Sequence, residues 1–139
     1  MVLNPSGEQL IDTDVLSLLM RQHPPVVEKA RNYVRERGTL NISVITQYEI
    51  LRGLLVKSAT QQSAAFQKFC LGNRVFILSE AIATQAAEIH ADLRTRGEII
   101  NDADILIAAT ALAHGMGVVT NNEQHFRRVT GLHVENWSL

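Results

Sequence analysis

Carboxylate and amide side chains recur at the ends of the predicted strands of this sequence. Asp12 follows one short apolar run directly, and Glu49 lies in the helix predicted after a second run. Asp104 opens a strongly apolar segment, and Asn122 follows another strand-like run. Side-chain oxygens of this kind suit Mg²⁺ or Mn²⁺ and not zinc. A divalent ion held by them can generate a hydroxide nucleophile and clamp phosphate oxygens during an in-line displacement.

The first two acidic positions also have structural interpretations. Asp12 can cap a helix that begins near Asp14, because an Asp at the N-cap accepts a hydrogen bond from a free backbone N–H. Glu49 completes a capping-box pattern with Thr46. Ser43 is the better cap, however, since the apolar period begins directly after it. Glu49 then lies inside the helix beside apolar positions, where a carboxylate is costly unless it is paired or binds a cation.

The second pair of positions is similarly ambiguous. Asp102 and Asp104 precede an apolar helix, and one of them is expected to cap it. The other carboxylate is then free, and two carboxylates this close repel each other unless a positive charge lies nearby. Asn121 and Asn122 after a strand are typical of a turn.

The histidines and the cysteine do not suggest a metal or nucleophile site. The histidines are dispersed, with no HExxH or paired spacing, and each is interpreted as a surface or structural residue. The single cysteine, Cys70, excludes an intrachain disulfide and a Cys-based zinc site. The five histidines are His23, His90, His114, His125 and His133.

Composition limits the classes of protein to which the chain can belong. The sequence has 139 residues, 46% of them hydrophobic, and is expected to form one domain over 1–139. Its net charge of -1 excludes a broadly basic nucleic-acid coat, although a local basic rim around an acidic centre remains compatible with it. The start of the chain lacks the pattern of a signal peptide, and no apolar run is long enough to span a membrane. We therefore expect a cytoplasmic protein without membrane contact.

Short strand-like runs alternate with helical periods along the chain. Helical periods are predicted at 26–37, which ends before Gly38, at 45–55, at 82–93 and at 105–113, the last apolar almost all round. Strands separated by helices favour an α/β fold with a parallel sheet, whose ligands bind outside the carboxyl ends of the strands. The strand candidates are 9–11, 39–42, 74–78, 117–120 and 132–134.

Four blocks of sequence, taken together, resemble those of a known family. They are Leu10-Ile11-Asp12-Thr13-Asp14-Val15-Leu16, Gln47-Tyr48-Glu49-Ile50-Leu51-Arg52-Gly53, the segment 101–109 (NDADILIAA) and the segment 119–126 (VTNNEQHF). In this order and spacing they look like the signature blocks of PIN-domain proteins, in particular VapC-type toxins of bacterial toxin–antitoxin pairs. The blocks cover nearly the whole chain.

The resemblance implies a three-layer α/β/α fold with a central parallel five-stranded sheet. It also implies an endoribonuclease that depends on Mg²⁺ or Mn²⁺ and is inhibited by a cognate antitoxin protein. By position, Asp12, Glu49 and Asp104 match the first three invariant acids and would bind the metal, partly through water. The fourth position, often Asp in the family, falls on Asn122, which brings no charge and puts a second metal in doubt.

Further residues receive supporting roles in this hypothesis. Thr120 would position water or the metal shell together with Asn122, and Asp14 stands where the family often has Asn. Asp102 matches no invariant position and is interpreted as accessory. A homodimer is also expected, with the wide apolar stripe of 45–55, extended by Leu54, Leu55 and Val56, as its candidate surface. Candidates for guiding the RNA backbone are Arg52, Arg94, Arg96, Arg127 and Arg128.

Two other functions are compatible with parts of the pattern. A phosphatase of the haloacid dehalogenase type would use Asp12 as nucleophile and Asp14 as acid, but the sequence lacks a suitable downstream lysine and a late acidic pair. A PIN-like RNA- or protein-binding module without nuclease activity gains weight from Asn122. A receiver-like signalling module is disfavoured, because no Asp follows the third predicted strand.

Overall fold

Five parallel strands form in the computed structural model, which describes residues 7–139 of the chain. Seven helices connect or flank them within that range. The strands are β1 (Gln9–Ile11), β2 (Asn41–Ser43), β3 (Arg74–Phe76), β4 (Gly117–Val119) and β5 (Val134–Glu135). The helices are α1 (Thr13–Met20), α2 (Pro24–Arg37), α3 (Val44–Val56), α4 (Thr60–Gly72), α5 (Glu80–Thr95), α6 (Asp102–Ala113) and α7 (Glu123–Phe126).

The strands form two hydrogen-bonded ladders that lie side by side. One ladder has the order β1-β4-β5, the other pairs β2 with β3, and β1 lies next to β2. Side chains replace the backbone ladder between β1 and β2. Asn41 Nδ2 donates to the Gln9 carbonyl at 3.0 Å, and the Gln9 N–H donates to the Tyr33 hydroxyl at 3.0 Å. The expected central sheet is therefore present as five parallel strands, with its backbone hydrogen bonding interrupted at this one junction.

The strand order places a crevice where the predicted site should be. Reading across the molecule, the order is β3-β2-β1-β4-β5, so the chain first proceeds from β1 to one side and later returns to the other side through β4. Ligands of open parallel sheets bind at such a reversal, outside the carboxyl ends of the strands. The crevice in this protein lies at the ends of β1 and β4.

Two hydrophobic cores flank the strands and confirm the three-layer architecture. Successive strand residues point to opposite faces, so Leu10 packs with α5 and α6, whereas Ile11 packs with α1, α2 and α3. Val118 and Val119 of β4 divide in the same way. The interior of α6 is almost entirely buried, as its sequence predicts.

Predicted and observed element boundaries differ by a few residues. Helix α2 begins at Pro24, earlier than predicted, and ends at Arg37, directly before Gly38, whose φ of 92° favours a glycine. Strand β2 begins and ends later than its prediction, β3 and β4 are shorter, and β5 is shifted by about two residues. Helix α4 was not predicted, because it buries only Ser63 and Phe66 and its apolar period is weak.

Two predictions concern membranes and targeting. Among residues 7–139, no helix combines the length and apolar character needed to cross a bilayer. The prediction about a signal peptide falls largely on residues 1–6, which lie outside the described part of the chain.

Candidate active site at the carboxyl ends of the strands

Asp12 lies at the centre of the crevice, directly after β1. Only 5% of the residue is exposed. Its Oδ1 accepts a hydrogen bond from the Thr13 N–H at 2.8 Å, so Asp12 caps α1 as one interpretation of the sequence proposed. Its Oδ2 accepts from the Thr120 hydroxyl at 2.8 Å. The residue therefore ends a strand, caps a helix and contacts the end of β4 at the same time.

The electrostatics around Asp12 are unfavourable for a carboxylate. Burial, with the nearby charge of Asp14 as the second cause, raises the pKa of Asp12 to about 8. The hydrogen bonds from Thr120 and Thr13 oppose that rise and only partly offset it. Burial also raises the pKa of Asp14, although Asp14 accepts backbone hydrogen bonds from Val15 and Asn121. A cation bound here would relieve this repulsion.

Glu49 reaches the site from α3 through a hydroxyl pair. The Thr13 hydroxyl donates to Glu49 Oε1 at 2.7 Å and lies 3.0 Å from the buried Thr46 hydroxyl. Arg52 Nη2 lies 3.9 Å from Glu49 Oε2. Ser43 caps α3 by accepting from the Ile45 N–H, so Glu49 lies within the helix, as predicted.

Asp104 completes the group of carboxylates from the first turn of α6. It is 9% exposed, and burial raises its pKa, whereas the neighbouring His125 and Asn101 side chains lower it. The expectation that Asp102 or Asp104 caps α6 is wrong. Asn101 is the cap, because its side chain accepts from the Asp104 N–H at 2.8 Å. That cap leaves the Asp104 side chain free to face the site, whereas Asp102 is exposed.

Asn122 and Thr120 connect the first acid to the third. Asn122 Nδ2 donates to Asp104 Oδ2 at 3.2 Å, and the Asn122 N–H donates to Thr120 Oγ1 at 2.9 Å. The Thr120 hydroxyl in turn donates to Asp12. An Asp at position 122 could not donate to Asp104, so the amide gives this network a link that a carboxylate would break.

The structure also adds residues that the sequence interpretation missed. His125 Nδ1 lies 3.4 Å from Asp104 Oδ2 and 2.8 Å from Asn122 Nδ2, so His125 belongs to the site and is not merely a surface residue. The three-residue spacing from Asn122 places it one helical turn away, which was the available signal. Thr13 and Asn101 were missed because caps and turns explain such residues equally well.

The donor set fits a hydrated Mg²⁺ or Mn²⁺ ion by its chemistry. The oxygens come from carboxylates and amides, and burial is the first cause that raises the pKa values of Asp12, Asp14 and Asp104, with smaller contributions from neighbouring acids. Within residues 7–139, no three His, Cys, Asp or Glu side chains approach closely enough to hold one ion between them. Water would therefore have to supply part of the coordination. Ligation by Asp12, Glu49 and Asp104 stays a prediction.

Most of the predicted RNA-guiding arginines form bonds within the protein. Arg96 bonds to Asp92 and Glu98, and Arg127 bonds to Glu123. Arg128 donates to the carbonyls of 98 and 99. Arg94 is exposed at the end of α5. Arg52 alone among the five contacts a residue of the carboxylate group.

A cavity of about 540 Å³ opens beside the carboxylates. Thr13 and Glu49 line one end of it, and α1, α3 and α4 supply apolar walls that include Leu54 and Phe66. Arg21 and Lys57 are also among its lining residues. The cavity is therefore lined by both apolar and polar side chains, and Glu49 connects it to the carboxylate group.

Comparisons with known proteins agree with the fold. The PIN domain family matches residues 10–132. A relative named tRNA(fMet)-specific endonuclease VapC, from Shigella flexneri, is 29% identical over 130 residues, which are 93% of this chain and 97% of the relative. The solved VapBC2 structure from Rickettsia felis, bound to a DNA fragment from its promoter, aligns with a TM-score of 0.83 at 26% identity and covers 93% of this chain and 98% of that one. The DNA-bound VapBC structure from Salmonella typhimurium gives 0.84 at 25% identity, with 94% and 98% coverage.

Proposed function

The chain belongs to the PIN domain family, and from this premise we propose that it is a Mg²⁺- or Mn²⁺-dependent endoribonuclease and the toxin of a toxin–antitoxin pair. The observation that carries the proposal is the group of Asp12, Asp14, Glu49 and Asp104 at the carboxyl ends of β1 and β4. The proposal agrees with relatives that are named ribonucleases or endonucleases and with neighbouring structures titled as VapBC complexes.

Asp12, Glu49 and Asp104 would hold the metal ion, with water completing its coordination. When bound, such an ion lowers the pKa of a water molecule and stabilises the charge that develops on the phosphate oxygens. The protein's contribution is to keep Asp12 and Asp104 in fixed orientations through hydrogen bonds from Thr120, Asn101 and Asn122. Such outer contacts commonly decide how well a site binds its metal.

Thr13 orients the remaining acid. Its hydroxyl donates to Glu49 Oε1, while its backbone N–H donates to Asp12. One residue therefore fixes both carboxylates relative to the start of α1. Asp14 is held by two backbone donors and adds a further carboxyl group to the site. Asp102 has no role in this account, because its side chain is exposed beside the cap.

The antitoxin is proposed to occupy the cavity beside the carboxylates. The apolar walls suit a partner helix, and a basic side chain from the partner could approach Glu49 and compete with the metal.

A homodimer is proposed through α3, where Tyr48, Leu55 and Val56 are exposed, Val56 by 84%. A monomer at micromolar concentration in light scattering would contradict the dimer. We also place the protein in the cytoplasm, where its RNA substrate is found.

The test is cleavage of single-stranded RNA by purified protein with Mg²⁺ or Mn²⁺. Asp12→Ala and Asp104→Ala should each lower the rate by about a hundredfold or more, because losing an outer partner alone typically costs about 10–100-fold. Glu88→Gln, on the exposed face of α5, serves as the matched control and should cleave like the wild type. Unchanged cleavage by either Asp variant would overturn the site assignment.

The same assay separates the alternative functions. If the wild type binds metal but does not cleave RNA, a binding module without nuclease activity is favoured. The lack of activity would then be explained by the absence, among residues 7–139, of three ligand side chains close enough to hold one ion. The family match disfavours the haloacid dehalogenase alternative. Hydrolysis of a small phosphoester without RNA cleavage would restore it.

A further inference from the structure

His125 lies beside the carboxylates but has no part in the metal binding described above. Its side chain is 38% exposed, so one side of the ring faces solvent. The other side faces the protein, where Nδ1 lies 2.8 Å from Asn122 Nδ2 and 3.4 Å from Asp104 Oδ2. The ring therefore lies between Asp104 and the solvent.

The Asn122 amide determines which hydrogen bonds His125 can make. Its nitrogen has two neighbours, Asp104 Oδ2 at 3.2 Å and His125 Nδ1 at 2.8 Å. An amide nitrogen carries two hydrogens, so it can donate to both at once. Reversing the amide would place its oxygen against the Asp104 carboxylate, which repels it. His125 Nδ1 lies closer to Asn122 Nδ2, at 2.8 Å, than to Asp104 Oδ2, at 3.4 Å, so the shorter contact is taken as the hydrogen bond, with Nδ1 as its acceptor.

The state of Nδ1 fixes the state of the other ring nitrogen. A neutral imidazole that accepts at one nitrogen carries its hydrogen on the other. Within residues 7–139, Nε2 of His125 has no hydrogen-bond partner among the protein groups. The ring therefore offers an unoccupied N–H donor next to a group of acids that can only accept when ionised.

We propose that Asn122 holds His125 as the Nε2–H tautomer and that Nε2 donates a hydrogen bond to a non-bridging phosphate oxygen of the RNA. His125 is then a substrate-binding residue, and Asn122 is its positioning residue. The inference rests on the proposed function for the identity of the ligand. A hydrogen bond to a charged acceptor contributes more than one between neutral groups, so its loss should be measurable.

Two substitutions separate substrate binding from a structural role. His125→Gln places an amide N–H near the position of Nε2, whereas His125→Asn keeps an acceptor near the position of Nδ1 and removes the outer donor. With a short RNA and Mg²⁺, His125→Asn should raise KM about tenfold or more, and His125→Gln should stay within about threefold of the wild type. Thermal melting of both variants checks that they are folded. The reverse ranking, or equal KM values in folded variants, would overturn the proposal.

The tautomer can be measured without any catalytic activity. Long-range ¹H–¹⁵N NMR at neutral pH should show a protonated Nε2 and an unprotonated Nδ1 for His125 in the wild type. Asn122→Ala should mix the two tautomers, because it removes the donor to Nδ1. A protonated Nδ1 in the wild type, or the same tautomer in Asn122→Ala, would contradict the role given to Asn122.

Failure of this inference can be distinguished from failure of the proposed function. If the wild type cleaves RNA and the two His125 variants cleave equally, only the inference is wrong. If the wild type does not cleave, binding of labelled RNA by the same three proteins replaces KM as the measurement. The inference then stands only if His125→Asn weakens RNA binding and His125→Gln does not.

Discussion

The two ends of β1 carry buried polar groups of opposite character. At its start, Gln9 is 4% exposed and exchanges hydrogen bonds with Tyr33 and Asn41. Glu135, the nearby carboxylate, receives two contacts, from Gln9 Nε2 and from His133 Nε2. Just after its end, Asp12 is equally buried but lies among other carboxylates. At the first end the Glu135 carboxylate faces two donors, although the buried Gln9 Oε1 has no hydrogen-bond partner within residues 7–139. At the second end, burial and the neighbouring carboxyl of Asp14 raise the pKa of Asp12.

This difference shows that burial alone does not identify a functional polar residue. The network around Gln9 replaces the missing ladder between β1 and β2, so its polar groups stabilise the fold. It is also tightly packed, since a Cβ on Gly117 would lie 2.6 Å from Gln9 Oε1. The group around Asp12 costs stability in the absence of a cation, because it raises the proton affinity of its own acids. The balance of charge around the buried groups, and not how deeply they are buried, distinguishes the structural network around Gln9 from the candidate site around Asp12.

The largest expected effect is the pH dependence of stability in metal-free protein. The pKa of Asp12 is raised to about 8, so the folded state keeps a proton that the unfolded state loses near pH 4. The stabilisation is fully present below about pH 4 and is lost as pH rises to about 8, on the order of a few kcal/mol. Urea unfolding across this range should show the fall, and Asp12→Asn should flatten it. If the free energy of unfolding fell equally steeply with pH in the wild type and in Asp12→Asn, the destabilising effect assigned to Asp12 would be contradicted.

Asn41→Ala tests the other end of the strand. It leaves the buried Gln9 carbonyl without its donor and should lower the free energy of unfolding by about 1–3 kcal/mol. Cleavage per folded molecule should stay at the wild-type rate, because Asn41 lies at the opposite end of the strands. Urea unfolding and an RNA cleavage assay at a temperature where both proteins are folded measure the two quantities. A loss of cleavage comparable to that of Asp12→Ala would contradict the comparison.

Thr120→Val should affect activity and stability together. The hydroxyl bonds to Asp12 and to the Asn122 N–H, so its loss should slow RNA cleavage about 10–100-fold. The expected loss of stability is about 1 kcal/mol. Thr110→Val is the matched control, since that buried hydroxyl donates to the Leu106 carbonyl inside α6. Both variants should lose similar stability, and equal cleavage rates would show that Thr120 has only a structural role.

The smallest effects are expected at the arginines. Arg52→Gln removes an exposed partner of Glu49 and should weaken RNA binding by about threefold, on the scale of an exposed ion pair. Arg127→Gln should change it less, because Arg127 bonds to Glu123 at 2.7 Å, away from the carboxylates. RNA-binding titrations at fixed salt compare the two variants. A larger loss for Arg127→Gln would place the RNA backbone nearer to Arg127 than to Arg52.

Much of this architecture follows from sequence pattern, whereas the contacts within the site do not. The apolar runs and helical periods predict the parallel α/β fold, and the strand ends place Asp12 at the crevice, where Thr120 and Asn122 connect it to Asp104. Sequence spacing cannot show that Asn101 caps α6, since three neighbouring side chains could do so. Nor can it show the contact of His125 with Asp104, because that contact depends on how α7 packs against α6. The sequence also could not predict the junction between β1 and β2 at Asn41, because side-chain hydrogen bonds replace backbone hydrogen bonds there.

The net charge of -1 does not show how the charged residues are distributed over the molecule. On the surface, arginines and acids form ion pairs in which the two charges balance, for example at Arg96 and Arg127. Asp12, Asp14 and Asp104 lie together beyond the end of β1, where Asp12 becomes negatively charged only when a cation binds or the pH rises above about 8. A near-neutral chain can in this way hold an acidic site without a strongly basic surface, and we expect its RNA binding to depend only weakly on salt.

The most direct test of the central claim is calorimetric titration of metal-free protein with Mn²⁺ at pH 7 in two buffers of different ionisation enthalpy. The wild type should bind the ion and release close to one proton, because the pKa of Asp12 is about 8 and a bound carboxylate must be ionised. Asn41→Ala should behave like the wild type, and Asp12→Asn should bind weakly without proton release. A wild type that binds no metal, or that binds it without releasing a proton, would contradict the account.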